Sequence, residues 1–290
     1  TVRELWKGYE TDKPGLAVLA TMKHTFKALE GRFGSIQADQ ITIADCRAHT
    51  KERRGAGIKD GTIHTELGHL RMVLLWAEKH KLIDRAPAIE RPSKPAPKSD
   101  YLEHDEARRL IASASTPHVK LAINIMIATA ARVTAVLELT WDRVDFKKRQ
   151  IHLRDPDDTT RRKGRAVVPM TNTVHKELAE AQKHRLSDHV IEWGGKPVKS
   201  LKRGIAFAAE KAGLPFVTPH VLRHTAAVWM AEGGRSMSEI AQFLGHNNTS
   251  MTERVYAKFS PNHLREAASH LELDPNVVPS GIDEPDDENE

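Results

Sequence analysis

Through the first ninety residues, apolar side chains recur three and four positions apart. In IHTELGHLRMVLLWAEKHKLI (63–83), Leu67, Leu70, Leu74 and Leu75 follow that spacing with Trp76 beside them, which predicts an amphipathic helix. GRFGSIQADQITIADCRAHTKERRG (31–55) predicts a turn, then a helix that opens near Thr42 and closes on a basic end. The pattern stops at ERPSKPAPKSD (90–100), where Pro92, Pro95 and Pro97 alternate with lysines. Proline lacks the amide donor that helix and sheet both need, so this stretch is a linker. The expected organisation is a helical unit over 1–90, a Pro/Lys linker over 91–100, and a second unit over 101–270.

Helical spacing resumes over 103–115, followed by an apolar stretch over 119–140 that predicts a largely buried helix. The period then changes. VDFKKRQIHL (144–153) predicts a hairpin, and RAVVPM (165–170) a third strand that Pro169 ends. Helices are expected again over 173–187, 198–212, 221–232, 238–245 and 252–258. Ser236 and Glu239 in SMSE form a capping box that introduces IAQFLGH. The fold class is therefore mainly α with a small antiparallel sheet: a helical N-terminal domain and a mixed α+β second domain.

Charge narrows the class of partner. The last twenty residues hold eight acids and no Lys or Arg, so their composition predicts a disordered tail over 271–290. The first 270 residues then carry 44 basic against 31 acidic side chains, a balance of +13. Such a body fits a polyanion, nucleic acid first, although solubility charge offset by an acidic tail is an equal reading of charge alone. Cys46 is the single cysteine, which excludes disulfides and thiolate zinc clusters. No apolar run is long enough to span a bilayer and the N-terminus shows no signal pattern, so a cytoplasmic location with no membrane partner is expected.

Four segments carry candidate chemistry. Arg132 lies in LAINIMIATAARVTAVLELTW (121–141), otherwise almost uncharged, where a guanidinium needs an anion: Glu138, another acid or a bound phosphate. TTRRKGRAVVPM (159–170) is a basic hairpin tip in which Lys163 is the only lysine between Lys148 and Lys176. HVLRHT (220–225) puts His220, Arg223 and His224 on one helical turn. FLGHNNTSMTERVYAKFS (243–260) brings His246 after a glycine and Tyr256 ten residues later. Zinc hydrolysis is disfavoured because Val221 stands where that chemistry requires a glutamate. Two arginines, two histidines, a lysine and a tyrosine make an electropositive site with a nucleophile that needs no metal. Arginine's planar fork matches two phosphate oxygens.

As a set these segments resemble the tyrosine recombinases of the phage-integrase family. HVLRHT is similar to that family's His-x-x-Arg-His-Thr motif, LGH (244–246) to its Leu-Gly-His, TERVYAKFS to its tyrosine segment, and ARVTAVLELTW to its first-arginine segment. The order of motifs agrees over roughly residues 100–265. The resemblance implies a catalytic domain there and a helical core-binding domain before it, together forming a C-shaped clamp on DNA. It implies Tyr256 as the nucleophile of a 3′-phosphotyrosyl intermediate and Arg132 and Arg223 as clamps on the non-bridging oxygens. His220 and His246 would bond the phosphate, and Lys163 would be the general acid. His224 is expected to support the helix start rather than to touch phosphate. No cofactor or metal is implied. The implied partners are duplex DNA, a homo-tetramer on it and accessory DNA-bending proteins.

Three positions depart from the family pattern. Ala135 stands where an acidic residue is usual, Ala130 where glycine is usual, and the interval from His246 to Tyr256 is ten residues where nine is commoner. Arg161 lies nearer the usual register than Lys163, but a guanidinium is a poor proton donor. Integration or excision of a phage or genomic island is the expected role, and chromosome-dimer resolution the alternative. A non-catalytic DNA-binding relative would be expected to lack the tyrosine or an arginine. A type IB topoisomerase would share the chemistry without sequence-specific synapsis.

Overall fold

A computed structural model describes residues 1–95, 99–154, 166–246, 248–261, 264, 268 and 271. The chain divides into two compact units, Thr1–Lys98 and Ser99–Glu290. Among the described residues, no helix is long and apolar enough to cross a membrane.

The first unit is built from α1 (Val2–Asp12), α2 (Val18–Phe33), α3 (Ile43–Gly55) and α4 (Asp60–Lys79). Thr42 caps α3 in a reciprocal box with Asp45, which is why the helix opens where the sequence predicts. From α4, Leu67, Leu70 and Leu74 join Trp6, Met22, Leu29 and Phe33 in one buried core. Leu75 is a correction: it points to solvent, because the buried stripe of α4 continues through Val73, Leu74 and Ala77. A polar triad crosses this unit. The buried Glu66 carboxylate takes two bonds from Arg53, at 2.6 and 3.0 Å, and faces His49 Nε2 at 3.0 Å.

The second unit begins with α5 (His104–Ser113) and α6 (Pro117–Thr129). The continuous helix expected over 119–140 is in fact broken. After α6, Ala130 turns into the left-handed region (φ 49°) and Arg132 becomes the N-cap of a short α7 (Val133–Leu137). Thr129 assists the break, its hydroxyl donating to the Ile125 carbonyl at 2.6 Å and accepting from the Ala131 amide at 3.3 Å. α6 is buried on nearly every side because α5, α8 (Asn172–Lys183), α9 (Lys202–Lys211) and α10 (Pro219–Glu232) all pack on it.

Strands β1 (Val144–Asp145), β2 (Gln150–His152) and β3 (Val167–Pro169) form an antiparallel sheet in sequence order, with Ile151 opposite both Val144 and Val168. Proline does close β3, as expected. A second hairpin, β4 (Glu192–Trp193) and β5 (Lys196–Pro197), turns on Gly194 and Gly195, both at positive φ. It falls where the sequence pattern had no strand. Helices α11 (Met237–Leu244) and α12 (Ser250–Tyr256) complete the described fold, α11 opening on the Ser236–Glu239 capping box. The expected tail lies outside the described residues apart from Leu271.

Two outcomes follow. A non-glycine residue in the left-handed region carries about 1 kcal/mol of strain. Ala130→Gly should therefore raise unfolding stability by about 0.5–1 kcal/mol, measured by urea denaturation. A loss of stability would mean that packing of the buried methyl outweighs the strain. Burial holds the pKa values of His49 and His69 below the ordinary range, Glu66 partly opposing this at His49. For these bases the unfolded chain binds protons first as pH falls, so their contribution is complete above about 6.5 and is lost below it. Amide exchange in α3 and α4, corrected for intrinsic rates, should show less protection at pH 5.5 than at pH 7.5. Equal protection at both would refute the linkage.

Candidate active site

The site forms where α10, α11, α12 and the break after α6 converge, and Arg223 joins them. Its side chain is buried. Nη1 donates to the Ala130 carbonyl at 2.6 Å and Nη2 to the Leu244 carbonyl at 2.9 Å. One guanidinium thus ties the left-handed turn before Arg132 to the C-terminus of α11, neutralising two carbonyls freed by helix ends. Burial, with the Arg132 charge, pulls its pKa down to about 10, Tyr256 acting the other way. It stays charged at neutral pH.

The glycine of LGH has a specific task. Gly245 adopts the left-handed conformation (φ 64°), while its amide bonds to the Gln242 carbonyl and that of His246 to the Ala241 carbonyl. This Schellman closure reverses the chain and turns His246 back over α10. His246 Nε2 lies 3.2 Å from Arg223 Nη2, and Nδ1 lies 2.9 Å from Thr252 Oγ1. A guanidinium can only donate, so Nε2 is the acceptor and Nδ1–H donates to Thr252. Burial and the charges of Arg223 and Arg132 lower the His246 pKa, which favours this neutral form.

Tyr256 is the last residue of α12, and its side chain is buried. Its hydroxyl lies 3.2 Å from His224 Nδ1, with the two rings tilted at 38° and 5.2 Å apart. Burial raises the phenol pKa, and the Arg223 charge works against that rise. The sequence reading did not anticipate this contact: His224, expected to support the helix start, sits on the buried side of α10 against the tyrosine hydroxyl. Its position next to Arg223 was the available signal, and the return of α12 supplies the contact.

His220 lies in the first turn of α10, which Thr218 caps by accepting from the Val221 amide. The ring remains exposed, while nearby protein atoms and the charges of Arg223 and Arg132 lower its pKa. His220 therefore does not share the buried environment of Arg223 and His224, although all three share one helical turn. Arg132 is half-buried, and burial lowers its pKa too. Ala130, the substituted glycine position, is the point where Arg223 grips the turn. Lys163 lies outside the described residues. Of the six residues singled out, the structure brings together Arg132, His220, Arg223, His246 and Tyr256. Among the described residues, no group of three or more His, Cys, Asp or Glu side chains is placed to hold a metal. The arrangement offers cations, imidazoles and one phenol to an anion, with an N-terminal helical turn beside them.

Residues 100–263 match the model of the phage integrase family. The integrase of Salmonella phage P22 is 26% identical over 245 residues, spanning 78% of this chain and 62% of that protein. The tyrosine recombinase XerC of Mycobacterium tuberculosis is 24% identical over 271 residues, 86% of this chain and 89% of its own. Among solved structures, the Tn1549 transposon integrase in complex with a circular intermediate DNA superposes with a TM-score of 0.80 at 18% identity, covering 94% of this chain and 99% of that one. A lambda integrase tetramer bound to a Holliday junction superposes at 0.72 and 17% identity, over 88% and 77%. At those identities the superpositions establish the fold, while the family match spans more than half of the chain. This chain belongs to the phage integrase family, the tyrosine recombinases.

Proposed function

We propose that the protein cuts and rejoins duplex DNA at specific sites through a covalent 3′-phosphotyrosyl intermediate on Tyr256. The observation that carries this reading is the convergence of Arg223 from α10, His246 from the turn after α11 and Tyr256 from α12, beside Arg132 and His220, on one electropositive site. A scissile phosphodiester would lie between Arg132 and Arg223, whose guanidiniums would hold its non-bridging oxygens. His220 and His246, kept neutral by their surroundings, would supply hydrogen bonds and proton exchange. Lys163 would protonate the departing 5′-oxygen. Bond energy is retained in the phosphotyrosine, so the reaction would need neither ATP nor metal.

The first unit would act as the core-binding domain, and the active form would be a homo-tetramer on DNA, with accessory DNA-bending proteins as further partners. The solved lambda integrase tetramer on a Holliday junction supports such an assembly. Integration or excision of a phage or genomic island is the favoured role, with the phage P22 integrase among the relatives. The XerC match, which spans most of both chains, favours chromosome-dimer resolution as the second reading. The cell interior, at the nucleoid when DNA is bound, is the location such a substrate requires.

Supercoiled plasmid incubated with wild type and with Tyr256→Phe in EDTA without ATP tests the chemistry. Relaxation, and an SDS-stable protein–DNA adduct, should appear with wild type and vanish in the variant. Activity that survives Tyr256→Phe, or that needs a metal, would overturn the assignment of the nucleophile. Arg223→Lys should cut adduct formation by about a hundredfold or more, because an ammonium cannot serve both carbonyls and a phosphate oxygen. Wild-type adduct yield from Arg223→Lys would remove the guanidinium from the mechanism.

A further inference from the structure

His224 is a buried histidine that the recombinase reading leaves without a task. Its Nδ1 lies 3.2 Å from the Tyr256 hydroxyl, and no other hydrogen bond to that hydroxyl is found among the described residues. Its Nε2 is shielded from water and has no hydrogen-bond partner of ordinary geometry among the described residues. A neutral imidazole carries one proton, and the two tautomers can be compared by what each leaves unmet. With the proton on Nδ1, the ring donates to the phenol oxygen. The phenolic proton and the Nε2 lone pair are then both orphaned inside the protein. With the proton on Nε2, Nδ1 accepts from the phenol and a single N–H is left over. The second arrangement meets more of the buried polar groups.

Resting on the recombinase reading of Tyr256, the geometry points to His224 as the base that takes the phenolic proton when the tyrosine attacks phosphorus. In that step the Tyr256 O–H proton passes to Nδ1, and the phenolate electron pair forms the O–P bond. The P–O5′ bond breaks, and the departing oxygen takes a proton from Lys163, its proposed donor. On rejoining, the 5′-hydroxyl returns its proton to Lys163 as it attacks phosphorus, and the P–O bond to Tyr256 breaks. The imidazolium returns its proton to the departing phenolic oxygen.

The surroundings suit the task. From α10, His220 disfavours a proton on His224, as does Lys258 in the turn after α12, and burial is the largest of these effects. Asp100 and the main chain at Ser99 favour one, so the ring faces groups of both signs. Arg223 stabilises negative charge on Tyr256 once its proton has left. The Phe259 ring lies 6.4 Å from the imidazole and packs against the apolar cluster that contains Tyr256.

Two measurements separate this proposal from the function it serves. In ¹⁵N-histidine-labelled protein, the His224 ring signals, assigned by their loss in His224→Asn, should show a bare Nδ1 and a protonated Nε2 at pH 7.5. A protonated Nδ1 in the neutral ring overturns the proposal, whether or not the protein cleaves DNA. The second measurement uses adduct yield on supercoiled plasmid as a function of pH. Asparagine can accept the phenol hydrogen bond but cannot take its proton. His224→Asn should therefore fall about a hundredfold below wild type at pH 7 and recover as pH rises, with DNA retention unchanged. A His224→Asn profile that superimposes on wild type, with the phenol merely positioned, would also overturn it. Failure of wild type itself to form an adduct would count against the recombinase reading, and the tautomer would still decide the hydrogen bond on its own.

Discussion

The active site depends on one buried guanidinium held between two main-chain carbonyls. Burying an ion is costly unless its hydrogen-bonding capacity is met, and a lone arginine in an apolar interior would cost several kcal/mol. Arg223 offsets this by ending two helices at once, taking the carbonyl of Ala130 where α6 stops and that of Leu244 where α11 stops. These are groups that helix geometry leaves unbonded. The same contact therefore stabilises the fold and fixes the position of the charge. It also explains why both ends are left-handed: Ala130 and Gly245 must each turn the chain away so that the carbonyls before or at the turn face inward.

From this anchor the remaining side chains acquire their positions. The turn at Ala130 delivers Arg132 at the start of α7, and the closure at Gly245 delivers His246, whose ring then bridges Arg223 and Thr252. α10 itself is fixed along its length. The Thr225 hydroxyl accepts from the Leu102 amide at 3.0 Å, and Trp229 Nε1 donates to the Leu102 carbonyl at 2.9 Å, locking the segment before α5 to the helix that bears Arg223. Thr225 belongs to the same HVLRHT stretch, so His220, Arg223, His224 and Thr225 all lie at the site or support it.

How far the sequence reveals this depends on the range of each interaction. Capping is local, so the box at Ser236 and Glu239 and the start of α3 at Thr42 are legible, as is the period-two pattern of β1, β2 and β3. The break after Thr129 is not. LAINIMIATAARVTAVLELT holds neither glycine nor proline, and a tertiary contact from Arg223 imposes the left-handed turn on an alanine. The β4–β5 hairpin was announced by Gly194 and Gly195, but its strands are two residues long and carry no alternation. Leu75 has the helical spacing of a core residue yet faces outward, because period alone does not locate the edge of a buried stripe. Motif spacing identifies Tyr256 and Arg223 as members of one site. It cannot show that Tyr256 rests on His224, since that pairing joins residues 32 positions apart through α11 and α12.

The electrostatics of the site have a consequence for its chemistry. His220, His224 and His246 all have lowered pKa values, by burial first and then by neighbouring positive charges. At His220 and His246 those charges are Arg223 and Arg132, which favour the neutral rings and leave each a nitrogen that can accept. An anion seated between the two arginines offsets that repulsion and favours protonation of the same rings. A phosphate held there would thus turn these rings from hydrogen-bond acceptors towards donors. Tyr256 follows the opposite course, since burial opposes its ionisation and only the Arg223 charge favours it. A phenol in that position loses its proton readily only to a neighbour that is neutral beforehand, and among the described residues the group found within hydrogen-bond reach of its hydroxyl is the His224 imidazole.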